Sequence, residues 1–266
     1  MRSWFHTRTW PAACKIAALL ALVHGAPAAD GADYDVFGRA LAPIAAAVLG
    51  TAEGQSRAMV AECRVNSGTG PLAAAAGTRL RLAIQSPDRF RVDVVREGAS
   101  APLTACRDGR ELWAVPAEPM SVLAQAAGID AKQSAPDAAS PPLLPIALDP
   151  QMLSFLPLVF DVKDLGKEQN PQRRVLEFGL LPQLREAIKA EDFTGRAWIG
   201  DNDKPTRLVL TTPQGEIDLE IEKLDFTDQL AATAWQPAEG QEALRLPASI
   251  LNKVFEKMLG ARAEAE

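Results

Sequence analysis

Read for its hydrophobic and polar positions, the chain changes period more than once. Phe37, Leu41, Ile44, Ala45 and Leu49 recur at helical spacing, which predicts a helix over Tyr34 to Leu49, ended by Gly50 and kinked at Pro43. The period then becomes two. Met59, Ala61, Cys63 and Val65 share one face of a first strand. Leu80, Leu82 and Ile84 alternate with Arg79, Arg81 and Ala83 in a second, and Phe90, Val92 and Val94 alternate with Arg91 and Asp93 in a third. Short strands follow at Leu103 to Arg107 and Glu111 to Val115, with turns at Ser86-Pro87-Asp88, Glu97-Gly98 and Asp108-Gly109. This predicts an antiparallel meander whose apolar face must be covered.

The alternation stops at about 116–160, where Pro116, Pro119, Pro136, Pro141, Pro142, Pro145, Pro150 and Pro157 accumulate. Ala117 to Ala139 reads as a loop with a short helix around Ser121 to Ala127. Pro141 to Phe160 is strongly apolar, either a core-packing helix after Asp149-Pro150 or a lid over an apolar cavity. Strands resume at Arg174 to Leu180, Phe193 to Ile199, Thr206 to Thr212 and Glu216 to Leu224, with a short helix over Pro182 to Ala190. Asp201-Asn202-Asp203 and Pro213-Gln214-Gly215 are the hairpin turns. Ile250, Leu251, Val254, Phe255 and Met258 form the stripe of a final helix over Pro247 to Leu259. The sum is an α+β fold in one domain, residues 29–266: a strongly curved antiparallel sheet with helices on its concave apolar side.

The N-terminus stands apart. Arg2, Arg8 and Lys15 precede the apolar run Ile16 to Val23, and Ala26-Pro27-Ala28 supplies a small-x-small cleavage site before Asp30, the first acidic residue. Residues 1–28 therefore read as a secretory signal, which implies a periplasmic or extracellular protein. Cys14 lies before the apolar run and not after it, so a lipid-anchored N-terminus is not expected. Removing residues 1–28 takes three basic residues and no acidic one, so 25 basic residues face 34 acidic ones, a net charge of −9. That balance argues against a general nucleic-acid binder. Outside the leader, the longest apolar run falls well short of the ~18 residues that span a bilayer.

Both histidines, His6 and His24, leave with the signal. The mature chain then has no Ser-His-Asp or Cys-His set and no His-containing zinc site, and its two cysteines cannot make a Cys₄ site. It has neither a P-loop nor a G-x-G-x-x-G fingerprint. A carboxylate-based hydrolase is the residual catalytic reading, and no acid pair sits in a recognisable motif. No cofactor is implied. What is left is shape and apolar burial, which points to binding without turnover.

The stretch Pro87-Asp88-Arg89-Phe90-Arg91-Val92, followed by Asp108-Gly109-Arg110-Glu111-Leu112-Trp113, resembles the periplasmic lipoprotein-carrier family of LolA and its relatives, among them LolB and the N-terminal domain of RseB. In that family a P-x-x-F strand precedes a D-G-x-x-L-W hairpin. Lys204-Pro205-Thr206-Arg207-Leu208 and the hairpin strand Ile217 to Phe226 fit the same pattern, so the resemblance covers roughly residues 34–235. Ser86 stands where the carrier has an arginine before the proline. The resemblance implies an eleven-stranded half-barrel closed by helices around a cavity that holds acyl chains, with Phe90 as a cavity residue and Trp113 as a hairpin aromatic.

The expected function is therefore that of a soluble exported carrier or sensor for an acyl chain of a lipid or lipoprotein. Its candidate cavity residues are Met59, Leu80, Leu82, Phe90, Val92, Leu112, Trp113, Leu153, Phe155 and Leu156. The alternative is an RseB-like module that binds a periplasmic or envelope protein. Arg79, Arg81, Arg89, Arg91, Arg96, Arg107 and Arg110 read as a solvated outer face, or as a rim for anionic head groups or an acidic partner, which would include peripheral membrane contact. An oxidising compartment favours a bridge between Cys63 and Cys106. They fall on the first and fourth strands, so the Cα limit of ~7 Å makes that bond conditional on sheet curvature.

Overall fold

The computed structural model describes residues 31–49, 57–99, 101–118, 121, 159–169, 172–188 and 192–248. Helix α1 (Gly31–Leu49) leads into β1 (Ala58–Gly68), a 3₁₀ turn (Gly70–Ala75), β2 (Arg79–Gln85), β3 (Arg89–Val95), β4 (Leu103–Arg107) and β5 (Glu111–Val115). After the insert come β6 (Phe160–Gln169), β7 (Gln172–Leu180), α2 (Pro182–Ile188), β8 (Thr194–Ile199), β9 (Pro205–Thr212) and β10 (Gly215–Thr227). A second 3₁₀ turn (Ala232–Trp235) precedes β11 (Leu244–Pro247). All eleven strands form one antiparallel sheet in the order β11-β5-β4-β3-β2-β1-β10-β9-β8-β7-β6. The described strands do not show the strong curl expected from the sequence.

The stretches of period two are the strands, and β4 and β5 have the bounds that the alternation predicts. Turn chemistry helps to fix them. Asp108 Oδ1 accepts from the backbone N–H groups of Arg110 and Glu111, at 3.2 and 2.9 Å, and Gly109 takes φ 112°, a conformation that favours glycine. Two strands were not expected. β6 has one buried residue, Val162, and is exposed from Lys163 to Gln169, so it carries no alternation to read. β11 is four residues long and ends at Pro247, where the pattern predicted the start of a helix. Residues 249–259 of that helix lie outside the described residues.

The β6 edge is guarded, as an unpaired edge must be. The first turn of α1 reaches β6: Tyr34 Oη donates to the Phe160 carbonyl at 3.0 Å, and the Asp164 N–H donates to Asp33 Oδ2 at 3.3 Å. Arg174 holds Asp33 and Asp164 together, at 2.8 and 2.7 Å. From there α1 crosses one face of the sheet. Val36, Phe37 and Ala40 pack on Val162, Leu176, Ala197 and Ile199, and Ala47 packs with Met59, Ala61 and Leu224. Gly195 makes room in this layer, since a Cβ there would lie 2.1 Å from Phe178 Cζ.

The other face has its own cover. The chain between β10 and β11 runs across β1–β5 and buries Trp235 in a cluster with Ala83, Cys106, Trp113 and Val115. Trp113 Nε1 donates to the Trp235 carbonyl at 2.9 Å, and Arg91 Nη1 donates to the Ala234 carbonyl at 3.1 Å. Arg91 is itself held by Asp93, at 3.0 Å, which accepts from Thr104 Oγ1 at 2.6 Å. Gln85 Oε1 accepts from the Leu230 N–H at 2.9 Å. A buried polar network of this kind fixes the position of the strap.

Candidate functional site

Register decides which side chains share a face, because cross-strand partners point the same way. Met59 faces Ile84, which faces Phe90, which faces Arg107, which faces Leu112, which faces Leu246. A parallel row joins Ala61, Leu82, Val92, Ala105, Ala114 and Leu244. A third joins Cys63, Leu80, Val94 and Leu103. Six of the ten candidate cavity residues, Met59, Leu80, Leu82, Phe90, Val92 and Leu112, therefore lie on one face, the face that carries α1.

They do not share one environment. Met59 is 4% exposed, and it and Leu82 belong to the cluster that includes Ala47 of α1. Leu80, Phe90, Val92 and Leu112 are half-buried and belong to none of the core clusters of the described residues. The β2–β5 part of this face is thus an apolar surface adjoining the helix.

Trp113 is a correction. Neighbours in a strand point to opposite faces, so Leu112 and Trp113 cannot line the same wall. Trp113 is 1% exposed on the far face, against Trp235. Leu153, Phe155 and Leu156 lie outside the described residues.

Arg107 is the second correction. Its place in β4 matches Leu103 and Ala105, not Thr104 and Cys106, so it stands on the apolar face between Phe90 and Leu112 and is 1% exposed. The reading of Arg107 as part of a solvated outer face does not hold. On β1–β5 and β11 it is the one charged side chain of that face among the described residues. The other six arginines of that group are exposed or half-buried.

Cys63 and Cys106 are both free, on opposite faces of the sheet. Burial pushes the Cys106 thiol up to about 12. Burial also raises the Cys63 thiol, with the Glu222 charge adding to it. Only a thiolate reacts. In the folded mature protein at pH 8, an apolar maleimide is therefore expected to label Cys63 slowly and Cys106 not at all, and Cys63→Ser should leave no labelling. Labelling of two thiols by mass spectrometry would contradict this placement. A ligand lying on the apolar face should protect Cys63.

The far face over β6–β10 is different in kind. It carries two open depressions, of about 350 and 240 Å³. The larger is lined by Glu177, Thr194, Arg196, Val209, Thr211 and Glu216. The charges of this face are mutually engaged: Arg196 bonds Glu177 at 3.1 Å, and Arg207 bonds both oxygens of Asp218 at 2.9 Å while lying 4.4 Å over the Trp198 ring. Such a surface suits water better than an acyl chain. Among the described residues, no group of three or more His, Cys, Asp or Glu could hold a metal, and no helix is long and apolar enough to cross a membrane.

No protein-family model matches the sequence, and no curated protein matches it. Among solved structures, the chain is similar to the lipoprotein LppX of Mycobacterium tuberculosis, with 11% identity and a TM-score of 0.40 over 77% of this chain and 100% of that one. It is similar to LprF of Mycobacterium bovis, with 11% identity and a TM-score of 0.36 over 75% and 95%. It is also similar to a LolA-superfamily protein of Nitrosomonas europaea, with 10% identity and a TM-score of 0.29 over 77% and 97%. These are similarities in the course of the chain, and nothing about a ligand of this protein follows from them.

Proposed function

We propose that this protein is an exported, non-catalytic carrier or sensor that holds an acyl chain on the apolar face of β2–β5. The observation that supports this reading is the register. Apolar residues from separate strands, Leu80, Phe90, Val92 and Leu112, come together on one face outside the core clusters of the described residues, beside a helix that packs on another part of that face. Each CH₂ taken out of water there contributes roughly 0.8 kcal/mol. A chain of ordinary lipid length therefore supplies ample binding free energy without any directed chemistry.

The experiment is native mass spectrometry of the mature protein purified from periplasm, followed by organic extraction and lipid analysis. A co-purifying lipid or acylated peptide is the expected result and would give the cargo class. Apo protein alone, with no uptake of a fluorescent fatty-acid probe, would reject the carrier and leave a protein-binding module as the function.

A further inference from the structure

We propose that the end of the sheet formed by the β1–β2 turn and the β3–β4 loop docks on a lipid bilayer whose surface carries anionic head groups. The inference goes beyond the acyl-chain reading and does not depend on it. Three large apolar side chains are exposed among the described residues, and two of them, Val95 at 42% and Leu103 at 39%, stand at this end. The ladder joins them to the start of β2, since Val95 pairs with Arg79 and Leu103 pairs with Val94. The turn over residues 70–77 has no polar side chain, and Pro71, Ala73, Ala74 and Ala76 are exposed. A Cβ on Gly77 would lie 3.7 Å from Glu97 Oε2, so the turn and the loop are neighbours.

The fold holds this apolar tip in place. The Thr69 N–H donates to the Glu216 carbonyl at 2.9 Å, and Thr69 Oγ1 accepts from the Glu216 N–H at 2.8 Å. Gly70 takes φ 58°, where a Cβ would collide with the Gln214 carbonyl oxygen. A turn clamped to the β9–β10 hairpin in this way loses little entropy when it enters an interface. Charge selects the occupant. Arg79 and Arg96 are exposed here and form no ion pair among the described residues, while Glu97 is the one acid of the β3–β4 loop. Such a tip suits the bilayer surface, where apolar side chains leave water and guanidinium groups meet lipid phosphates. The mature chain has an excess of acids, so this local excess of arginine sets the docked orientation. A protein partner would find no polar side chain to read on the turn, whereas a bilayer needs none. Leu103 also begins the row that continues through Val94 and Leu80, so a lipid leaving the bilayer here would meet the apolar face directly.

The test is co-sedimentation of the mature protein with vesicles of phosphatidylethanolamine and phosphatidylglycerol, set against vesicles of phosphatidylcholine alone. Binding is expected to the anionic vesicles, about 10-fold tighter than to phosphatidylcholine. Val95→Asp combined with Leu103→Asp should weaken it by about 10-fold or more. Ala74→Asp, on the turn and outside the strands, should do the same. Arg79→Gln combined with Arg96→Gln should remove the preference for the anionic vesicles. An environment-sensitive dye on Ala74→Cys, in a Cys63→Ser background, should shift to the blue on these vesicles. The same dye on Asp201→Cys, at the opposite end of the sheet, should not shift. An equal response of the two dyes, or binding unchanged in every variant, overturns the proposal. No sedimentation also overturns it and leaves the tip to a protein partner. The acyl-chain reading survives each of these outcomes, because uptake of a soluble fatty-acid probe decides it separately.

Discussion

Phe90→Glu is expected to abolish uptake of a fluorescent fatty-acid probe in a protein that still unfolds cooperatively. Phe90 is half-buried on the apolar face and lies outside the core clusters, so its ring is not needed to hold the described core together. Its cross-strand partner is Arg107. A carboxylate at position 90 thus arrives opposite a guanidinium, and the fold is spared an isolated buried anion. The acyl chain gains nothing from this. It meets a charged wall where an aromatic ring had been. A loss of about 100-fold or more in affinity is expected, on the order of 2.8 kcal/mol. Phe90→Leu, which keeps the surface apolar, should bind nearly as well as the native protein. Unaltered uptake by Phe90→Glu would remove this residue, and with it the β3 wall, from the site.

Trp113→Ala should show the opposite division: a large loss of stability with no direct effect on ligand preference. Trp113 is buried at 1% exposure on the far face and holds the strap through its 2.9 Å bond to the Trp235 carbonyl. Truncating a buried tryptophan typically costs about 3–5 kcal/mol, a large share of the ~5–15 kcal/mol that holds a domain together. The change would also remove the ring over which Arg91 lies, 5.6 Å from its centroid, while Arg91 keeps its bonds to Asp93 and the Ala234 carbonyl. Trp113→Phe separates the two contributions, because it keeps most of the packing and removes the N–H, for about 1 kcal/mol. Urea unfolding of the three proteins would measure both. A Trp113→Ala protein as stable as the native one would show that the strap does not depend on this anchor.

The face of each residue was legible in the sequence more often than its role. Period two alone places Arg107 with Leu103 and Ala105, and Trp113 with Glu111 and Val115. Grouping arginines by type, and aromatics by their motif, overrode that parity in both cases. β6 was not legible, because an edge strand with one face in water buries almost nothing, and Lys163 to Gln169 reads like a loop. The strap was not legible either. Trp235 looks like any core tryptophan until the ladder places Trp113 and Cys106 beneath it. Which rows of the apolar face α1 packs on depends on the helix's docking angle, which the pattern of a helix does not encode.

The pairing of β1 with β10 bears on how the chain is made. Every other neighbouring pair in β5–β1 and β10–β6 joins strands adjacent in sequence, but Gly68 meets Ile217 and Ala58 meets Thr227. As the chain emerges N-terminus first into the compartment where it folds, the outer edge of β1 stays without its partner until β10 has followed. For that interval the nascent chain presents an open hydrogen-bonding edge bearing Met59, Ala61 and Val65, a template for pairing with other chains. The demand on protective chaperones therefore falls early, on the first meander, and ends only when the tenth strand is delivered.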